Sequence, residues 1–271
     1  MKMKKIMTTT VLSVLALGLM APAALAESAT TKGKVQFIND PDGDKPTPVD
    51  PTKPTPEPII VDPERPGTEG YLRFDRVPQF DFGQVKLTNA AVDAPVLQDE
   101  FKTSATDVFY AAPTVEVTDR RGSNAGWTTS VKAGPFELVK AGDENKLVPE
   151  IEAGNDLVGA VISIGEGHAN VHSKDGSVTN ASAPDVFGTF ELNDKDYIFA
   201  SAKKDKGMGQ WSIAFHEGDA QTTGDIGYPN KHTTQGNEES IRLSVPESSK
   251  KLVDRTYRSV VTWTISDEPG K

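Results

Sequence analysis

The sequence predicts an all-β fold: a single β-sandwich-like domain with long polar loops, preceded by a disordered, proline-rich linker. Three observations favour it. From about Gly70 onward, apolar runs of about five to nine residues alternate with clusters of Gly, Asn, Asp, Ser or Pro. No window carries an apolar period of 3.6 residues over three turns, as an amphipathic helix would. Nine of the 19 prolines fall between positions 41 and 66, ahead of the first run.

The first 26 residues have the pattern of an export signal. Lysines at positions 2, 4 and 5 precede an apolar run over residues 11–20, and small residues at Ala24 and Ala26 follow. We expect a signal peptide over residues 1–26 with cleavage after Ala26, and therefore a secreted protein. The alternative, a membrane anchor, is disfavoured because the run is shorter than the roughly 20 apolar residues that a bilayer-spanning helix needs.

Residues 27–69 are expected to form a spacer. The stretch from residue 46 to 58 (PTPVDPTKPTPEP) has proline at or near every second position. Proline lacks the backbone donor that helices and sheets require, and it favours extended polyproline II. We therefore predict a semi-rigid, disordered linker and place the start of the folded domain at Gly70.

The predicted domain covers residues 70–271. Residues 72–77 (LRFDRV) alternate apolar and polar side chains, as a half-buried strand does. Further strand-like runs follow at residues 80–85, 108–117, 127–131, 136–139, 157–164, 187–192, 197–200, 211–215, 241–245 and 257–265. Two polar inserts, residues 165–184 and 217–240, are rich in Gly, Asn, Thr and His, and we expect them to be surface loops.

Charge and cysteine content limit the possible partners. Removal of residues 1–26 takes away three lysines and no acid, which changes the formal net charge from −10 to −13. Such a chain would be repelled by nucleic acid and by anionic lipid, so we expect neither as a partner. The sequence has no cysteine, which excludes a disulfide scaffold and a thiolate metal site. We expect no cofactor.

Sequence motifs give no support for catalysis. There is no G-x-S-x-G element and no cysteine nucleophile. His168 and His172 have the spacing of two metal ligands on one helix face, but the glycines around them disfavour a helix, and we expect exposed loop histidines and no metal. A catalytic pair of carboxylates stays an open alternative, because the fold and not the sequence spacing sets the distance between two such groups. We therefore expect a protein that is not an enzyme.

Two tryptophan segments carry the most specific signal: residues 117–131 (VTDRRGSNAGWTTSV) and residues 257–269 (YRSVVTWTISDEP). Together they resemble the WxL domain of cell-surface proteins in low-GC Gram-positive bacteria, and the likeness extends over roughly residues 70–271. Thr129 and Ile265 stand where that family's pattern has Leu. The residues that match the motifs, structural or wall-binding, are Asp119, Arg121, Gly122, Gly126, Trp127, Tyr257, Thr262, Trp263, Ile265 and Pro269.

The resemblance implies a secreted, non-catalytic protein of the cell surface. It implies non-covalent attachment to peptidoglycan in the Gram-positive cell wall, and assembly with other surface proteins, including a membrane-anchored partner that interacts with WxL domains. The alternative is a secreted carbohydrate-active enzyme or lectin on a β-sandwich. A deep cleft with two converging carboxylates would favour the enzyme.

Strand periodicity suggests a role for the two tryptophans. Trp263 and Ile265 share one face of a strand, while Thr262 and Thr264 share the other. Trp127 is in phase with Val131 in the same way. We expect both indoles to be core anchors, with Trp263 on the last strand. The alternatives are exposed platforms that stack on sugar rings, or one tryptophan of each kind.

Overall fold

The structure is a computed structural model, and it describes residues 32, 34–38, 40, 43–53, 55–143, 146–147, 149–150, 156–165, 167–173, 178–216, 227–228 and 240–270. Within this part, strands account for 37% and helix for 2%. The prediction of an all-β fold is confirmed. Two compact units are distinguished, Met1–Ile38 and Asn39–Lys271. Val35, Phe37 and Ile38 of the first unit are exposed. The signal peptide expected over residues 1–26 lies outside the described residues.

All described strands belong to the second unit. In chain order they are β1 (Leu72–Arg76), β2 (Val92–Pro95), β3 (Asp99–Lys102), β4 (Val108–Ala111), β5 (Thr114–Asp119), β6 (Trp127–Ala133), β7 (Glu137–Leu138), β8 (Val161–Ile164), β9 (His168–His172), β10 (Asp185–Val186), β11 (Phe190–Leu192), β12 (Tyr197–Ala202), β13 (Gly209–Ala214), β14 (Gly227–Tyr228), β15 (Ile241–Val245), β16 (Tyr257–Arg258) and β17 (Val261–Ser266). A short 3-10 helix spans Asn180–Ser182.

Three four-stranded antiparallel sheets build the unit. The first sheet has the order β1-β5-β13-β9, the second, called the motif sheet below, β10-β12-β6-β17, and the third β11-β8-β15-β2. Smaller pairings are β14-β4-β3 and β16-β7. Side chains from all three large sheets share one apolar core, which includes Phe74 of β1, Phe199 of β12 and Ile162 of β8. This layering is what an all-β domain needs to bury the apolar face of every sheet.

The motif sheet follows directly from the sequence pattern. Strand β6 alternates buried and partly exposed residues over its whole length. Strand β17 lies beside it, with Trp263 opposite Val131 and Ile265 opposite Thr129. Because successive strand residues point to opposite faces, the apolar members of both strands share the inward face with Thr129, and the other hydroxyl-bearing residues share the outward face.

The proline-rich segment differs from the prediction. Residues 43–69 belong to the compact unit, and Val49 is 3% exposed. Val49 forms a bridge with Pro58, and the Val49 N–H donates to Glu116 Oε2 at 2.9 Å. Prolines do prevent a regular strand here, but an extended chain can pack on a sheet through the donors and acceptors that it keeps. The compact unit that contains the strands begins at Asn39, ahead of Gly70.

One of the two predicted surface loops is also corrected. Residues 165–184 contain β9, whose residues pair with β13 along its full length. The glycines and polar side chains of this stretch concealed a strand that completes the first sheet. Most of the other insert, residues 217–226 and 229–239, lies outside the described residues, and β14 between them pairs with β4.

The described part of the chain contains no helix with the length and hydropathy that a bilayer crossing requires.

Candidate functional site

The structure brings the two tryptophan motifs together. The first motif begins at the end of β5 and runs into β6, and the second motif forms β16 and β17. Since β6 and β17 are neighbours in the motif sheet, residues separated by more than 130 positions in sequence form one continuous site. This site has an inward face in the core and an outward face toward solvent.

The beginning of the first motif is a turn closed by an ion pair. Arg121 Nε lies 3.0 Å from Asp119 Oδ1, and its Nη2 lies 2.8 Å from Oδ2. The same Nη2 donates to the Gly126 carbonyl at 2.6 Å. Gly122 is at the exposed tip of the turn. Asp119 and Arg121 therefore fix the path by which the chain leaves β5 and enters β6.

Trp127 is a core residue. Its side chain is fully buried and contributes to the shared apolar core. The indole Nε1–H donates to the Gly207 carbonyl at 2.9 Å, so its polar group is satisfied without water. A buried indole that donates its N–H is the usual state of a core tryptophan. Within the folded domain, this ring is not accessible to a sugar.

Thr129 accounts for the departure from leucine in the first motif. The residue is fully buried, and its hydroxyl donates to the Ala200 carbonyl at 2.8 Å. The register between β12 and β6 shifts at this point, between Ile198 and Ala200. A β-bulge can leave a backbone carbonyl of the sheet without its regular N–H donor, and here the Thr129 hydroxyl donates to the Ala200 carbonyl instead.

The second motif packs Trp263 less deeply. Trp263 is partly buried against the core. Its ring meets Phe199 and Phe80 edge to face, with centroids 5.1 and 5.9 Å apart. Tyr257 is also partly buried, and its hydroxyl accepts a hydrogen bond from the Leu252 N–H at 3.1 Å. Aromatic pairs of this geometry stabilise the core beyond their buried area.

The remaining motif residues are more exposed. Thr262 is exposed on the outward face of β17, whereas Ile265 is partly buried on the inward face. The chain then turns back, and the Glu268 carbonyl accepts a hydrogen bond from the Thr128 hydroxyl at 2.9 Å. Pro269 is exposed, and the Gly270 N–H donates to the Ala202 carbonyl at 3.0 Å. This return fastens the end of β17 across β6 and β12.

The two motif glycines give a matched test of the turn. Both have positive φ, but a Cβ at Gly126 would lie 2.3 Å from the Ala202 carbonyl oxygen, whereas a Cβ at Gly122 would meet nothing within 4 Å. We expect Gly122→Ala to cost about 1 kcal/mol in free energy of unfolding, from φ alone, and Gly126→Ala to cost at least about 3 kcal/mol. Urea unfolding measures both. Equal losses would show that the backbone clash does not matter.

A cleft of about 350 Å³ lies between the proline-rich segment and β3 and has several carboxylates in its wall, Asp62, Glu64, Asp81, Asp99 and Glu100. Asp99 pairs with Arg65 at 3.1 Å and with Arg76 at 2.7 Å. Burial raises the pKa of Asp62, but the Glu64 N–H and Arg65 outweigh it and lower that pKa below its usual value. Asp62 and Asp99 are thus ion-pair partners of arginines, and the lowered pKa of Asp62 is the reverse of what a general acid needs.

A buried polar layer lies on the opposite face of the first sheet from the apolar core. It consists of a cross-strand row, Arg73, Thr118, Gln210 and His172, and of Asp75, Glu116 and Ser212 beside it. Arg73 Nε donates to Asp75 Oδ1 at 2.7 Å, and the Thr118 hydroxyl donates to Asp75 Oδ2.

The proline-rich segment covers this layer and supplies further hydrogen-bond partners. Arg73 donates to the Gly43 carbonyl at 2.9 Å. The Thr47 N–H donates to Asp75 Oδ1 at 2.8 Å, and Gln210 Nε2 donates to the Thr47 carbonyl at 2.8 Å. Sequence reasoning missed this layer. The available signal was the charged Arg73, Asp75 and Arg76 within a single strand.

Two titratable groups of the layer have strongly shifted pKa values. Burial raises the pKa of Glu116 to about 8, although the Val49 N–H acts in the opposite direction. Burial lowers the pKa of His172 to about 4, against the opposing effects of the Lys53 backbone and Asp50. At neutral pH, Glu116 therefore keeps its proton and His172 is uncharged. Glu116 is fully buried, which places it out of reach of a polymeric substrate.

These shifts predict how stability depends on pH. The unfolded chain releases the Glu116 proton near pH 4.5, whereas the folded chain keeps it to about pH 8, so rising pH favours the unfolded state. The unfolded chain protonates His172 near pH 6.5 and the folded chain only near pH 4, so falling pH favours the unfolded state. Between pH 4.5 and 6.5 the two effects cancel.

From pH 6.5 to 8, only the Glu116 effect operates. We expect the free energy of unfolding to fall by about 2 kcal/mol over this interval, at about 1.4 kcal/mol per pKa unit. Glu116→Gln keeps an acceptor for the Val49 N–H and cannot ionise, so its stability should not decline there. Urea unfolding at a series of pH values measures both proteins. A variant that declines as steeply as the wild type would exclude Glu116 as the cause.

The predicted loop histidines are corrected. His168 and His172 lie on β9, a strand that pairs with β13. His172 is buried, and its Nε2 lies 2.6 Å from the Ser212 hydroxyl. Among the described residues, no group of three or more His, Cys, Asp or Glu side chains could hold a metal ion.

Comparison with known proteins gives one match. The family model described as "WxL domain surface cell wall-binding" matches residues 24–269. The match begins before Gly70 and includes the proline-rich segment, in agreement with its packing on the first sheet. No curated protein and no solved structure matches the chain. Since the match covers more than nine-tenths of the sequence, the chain belongs to the WxL family of surface, cell wall-binding domains.

Proposed function

We propose that this WxL protein is a secreted, non-catalytic surface protein that attaches non-covalently to peptidoglycan in a Gram-positive cell wall. The single observation that carries the proposal is the family match over residues 24–269. The match covers the whole β domain, so residues 24–269 contain no separate region for a catalytic module. The description of the matched family also gives the location of the protein, which is the cell surface.

The charged groups support a non-catalytic role. In the cleft, Asp99 is held by two arginines, and such a carboxylate is engaged in structure. Glu116, a carboxyl group with a raised pKa, is fully buried beneath the proline-rich segment. A glycosidase needs an acid with a raised pKa beside a carboxylate, both open to the sugar.

We propose further that the protein assembles with other surface proteins, including a membrane-anchored partner that interacts with WxL domains. The proposal rests on the resemblance of the two motifs and on the family match. Capture of the membrane-anchored partner from detergent-solubilised membranes by the immobilised domain, with the unfolded domain as control, tests it. Equal capture by both forms would contradict it.

The attachment itself is tested by sedimentation. Purified protein from residue 27 onward is mixed with peptidoglycan sacculi from which teichoic acids have been removed. We expect it to sediment with the sacculi and to be released by a chaotrope without lytic enzymes. The turbidity of the suspension should stay constant, because no bond in the wall is cleaved. Protein that stays in the supernatant would contradict attachment, and a loss of turbidity would contradict the non-catalytic role.

A further inference from the structure

We propose that the glycan strands of the wall lie on the outward face of the motif sheet, and this inference rests on the proposed function. The face, called the hydroxyl face below, is formed by alternate residues of β6, β17 and β12. Its members are Thr128, Ser130, Lys132, Thr262, Thr264, Ser266, Ile198 and Ser201. None of them is on the core side, where the signature tryptophans are.

Strand register arranges these hydroxyl groups in rows. Thr264 lies opposite Ser130, which lies opposite Ile198. Ser266, Thr128 and Ser201 form the next row, where Ser201 is buried and the returning chain at Glu268 and Gly270 contacts Thr128 and Ser201. Neighbouring strands are about 4.8 Å apart, and same-face residues repeat about every 6.8 Å along a strand. The open part of this face is therefore the row of Thr264, Ser130 and Ile198, with Thr262 beside it on β17.

The central hydroxyls are available to a ligand. Thr262 and Thr264 are exposed and Ser130 is partly exposed. Within the part of the chain that the structure describes, the hydroxyl groups of Ser130, Thr262 and Thr264 have no protein partner. The Thr128 hydroxyl, by contrast, donates to the Glu268 carbonyl. A ligand would therefore meet unsatisfied donors and acceptors along β17 and the middle of β6.

Charge distinguishes this face from the outward face of the third sheet. That sheet displays Glu191 and an ion pair between Arg242 and Asp93 at 2.7 Å. On β6 and β17, the outward positions carry no carboxylate, and Lys132 is their one charged residue. Its partner, Asp196, lies 3.6 Å away at the margin. Asp185 lies opposite Ser201 at the β10 edge of the sheet. For a chain with net charge −10, the outward side of β6 and β17 is a surface that meets an anionic wall with little repulsion.

A glycan of N-acetylated amino sugars matches this chemistry. Its backbone is uncharged and carries hydroxyl and amide groups, and serine and threonine hydroxyls can both donate to and accept from them. Ile198, 53% exposed in the same row as Ser130 and Thr264, offers an apolar contact to the C–H face of a sugar ring. A shallow face of this kind binds each segment weakly, and a repetitive polymer with many sites compensates through multivalency.

The test replaces hydroxyls without disturbing the core. In Thr264→Glu, a charge enters the centre of the hydroxyl face. In Thr262→Val/Thr264→Val, two hydroxyls are removed while the strand-favouring shape is kept. The matched control is Ser244→Glu, which adds the same charge at an exposed position of β15 in the third sheet. Each protein is first checked by thermal unfolding and then sedimented with sacculi stripped of teichoic acids.

If the wild type binds, we expect the control to bind like it, the double valine variant to bind at least five-fold more weakly, and Thr264→Glu to lose binding. Folded variants of the hydroxyl face that bind like the wild type would overturn the inference and leave the proposed function intact. Equal weakening by Ser244→Glu would also overturn it, because the effect would be one of total charge. Failure of the wild type itself to sediment would contradict the proposed function.

Discussion

Trp127→Ala should lower the free energy of unfolding by about 3–5 kcal/mol, the range for large-to-small changes at a buried aromatic. The substitution removes a fully buried ring from the common core and leaves the Gly207 carbonyl without its donor. A loss of this size is a large share of the stability of a typical domain, about 5–15 kcal/mol. Urea unfolding followed by tryptophan fluorescence and circular dichroism measures it.

Trp263→Ala is the comparison for this prediction. Trp263 is only partly buried and loses edge-to-face contacts with Phe80 and Phe199, so we expect a smaller loss of about 2–3 kcal/mol. Wall binding should decrease only as the folded fraction decreases. A Trp127→Ala protein as stable as the wild type would contradict the core role of this residue.

Arg73→Met should destabilise the protein about as much as Trp127→Ala does, with an expected loss of about 3–5 kcal/mol in the free energy of unfolding. The methionine can fill most of the space, but Asp75 would then be buried without its cation, and the Gly43 carbonyl would lose a donor. The proline-rich segment should also detach, because Arg73 links it to the first sheet. Limited proteolysis should cleave residues 43–69 faster in the variant than in the wild type.

An exposed ion pair supplies the control for Arg73. Lys102 lies 3.1 Å from Glu100, and both side chains are about half exposed, so Lys102→Met should change stability by no more than about 1 kcal/mol. A similar result for Arg73→Met, with no change in proteolysis, would show that the buried polar layer does not hold the segment.

Strands with strict alternation could be predicted from the sequence. The alternation of Trp127, Thr129 and Val131 and of Trp263 with Ile265 determines an inward face, and the structure has these residues on β6 and β17 with that face in the core. The same alternation, T-x-T-x-S on β17, contained the signal for the hydroxyl face. The adjacency of the two strands could not be predicted, since pairing across the chain depends on tertiary contacts.

Two features were hidden because local composition disagreed with tertiary structure. The proline-rich segment lacks the donors of a strand, yet it packs through single hydrogen bonds to Asp75 and Glu116 that only the folded sheet provides. Strand β9 lies in a polar, glycine-flanked stretch, and its strand character comes from pairing with β13. In both cases the partner is far away in sequence, and a reading of local propensity cannot detect it.

The central claim is that the signature tryptophans hold the domain together while its outward surface meets the wall. The most direct test is to sediment Trp127→Ala and Trp263→Ala with purified peptidoglycan over a range of temperatures, with the folded fraction of each protein measured by circular dichroism. The account predicts that, when the fraction bound to peptidoglycan is plotted against the folded fraction, both variants and the wild type fall on one line. A variant that stays folded at the assay temperature but no longer sediments would identify its tryptophan as a wall contact and contradict the account.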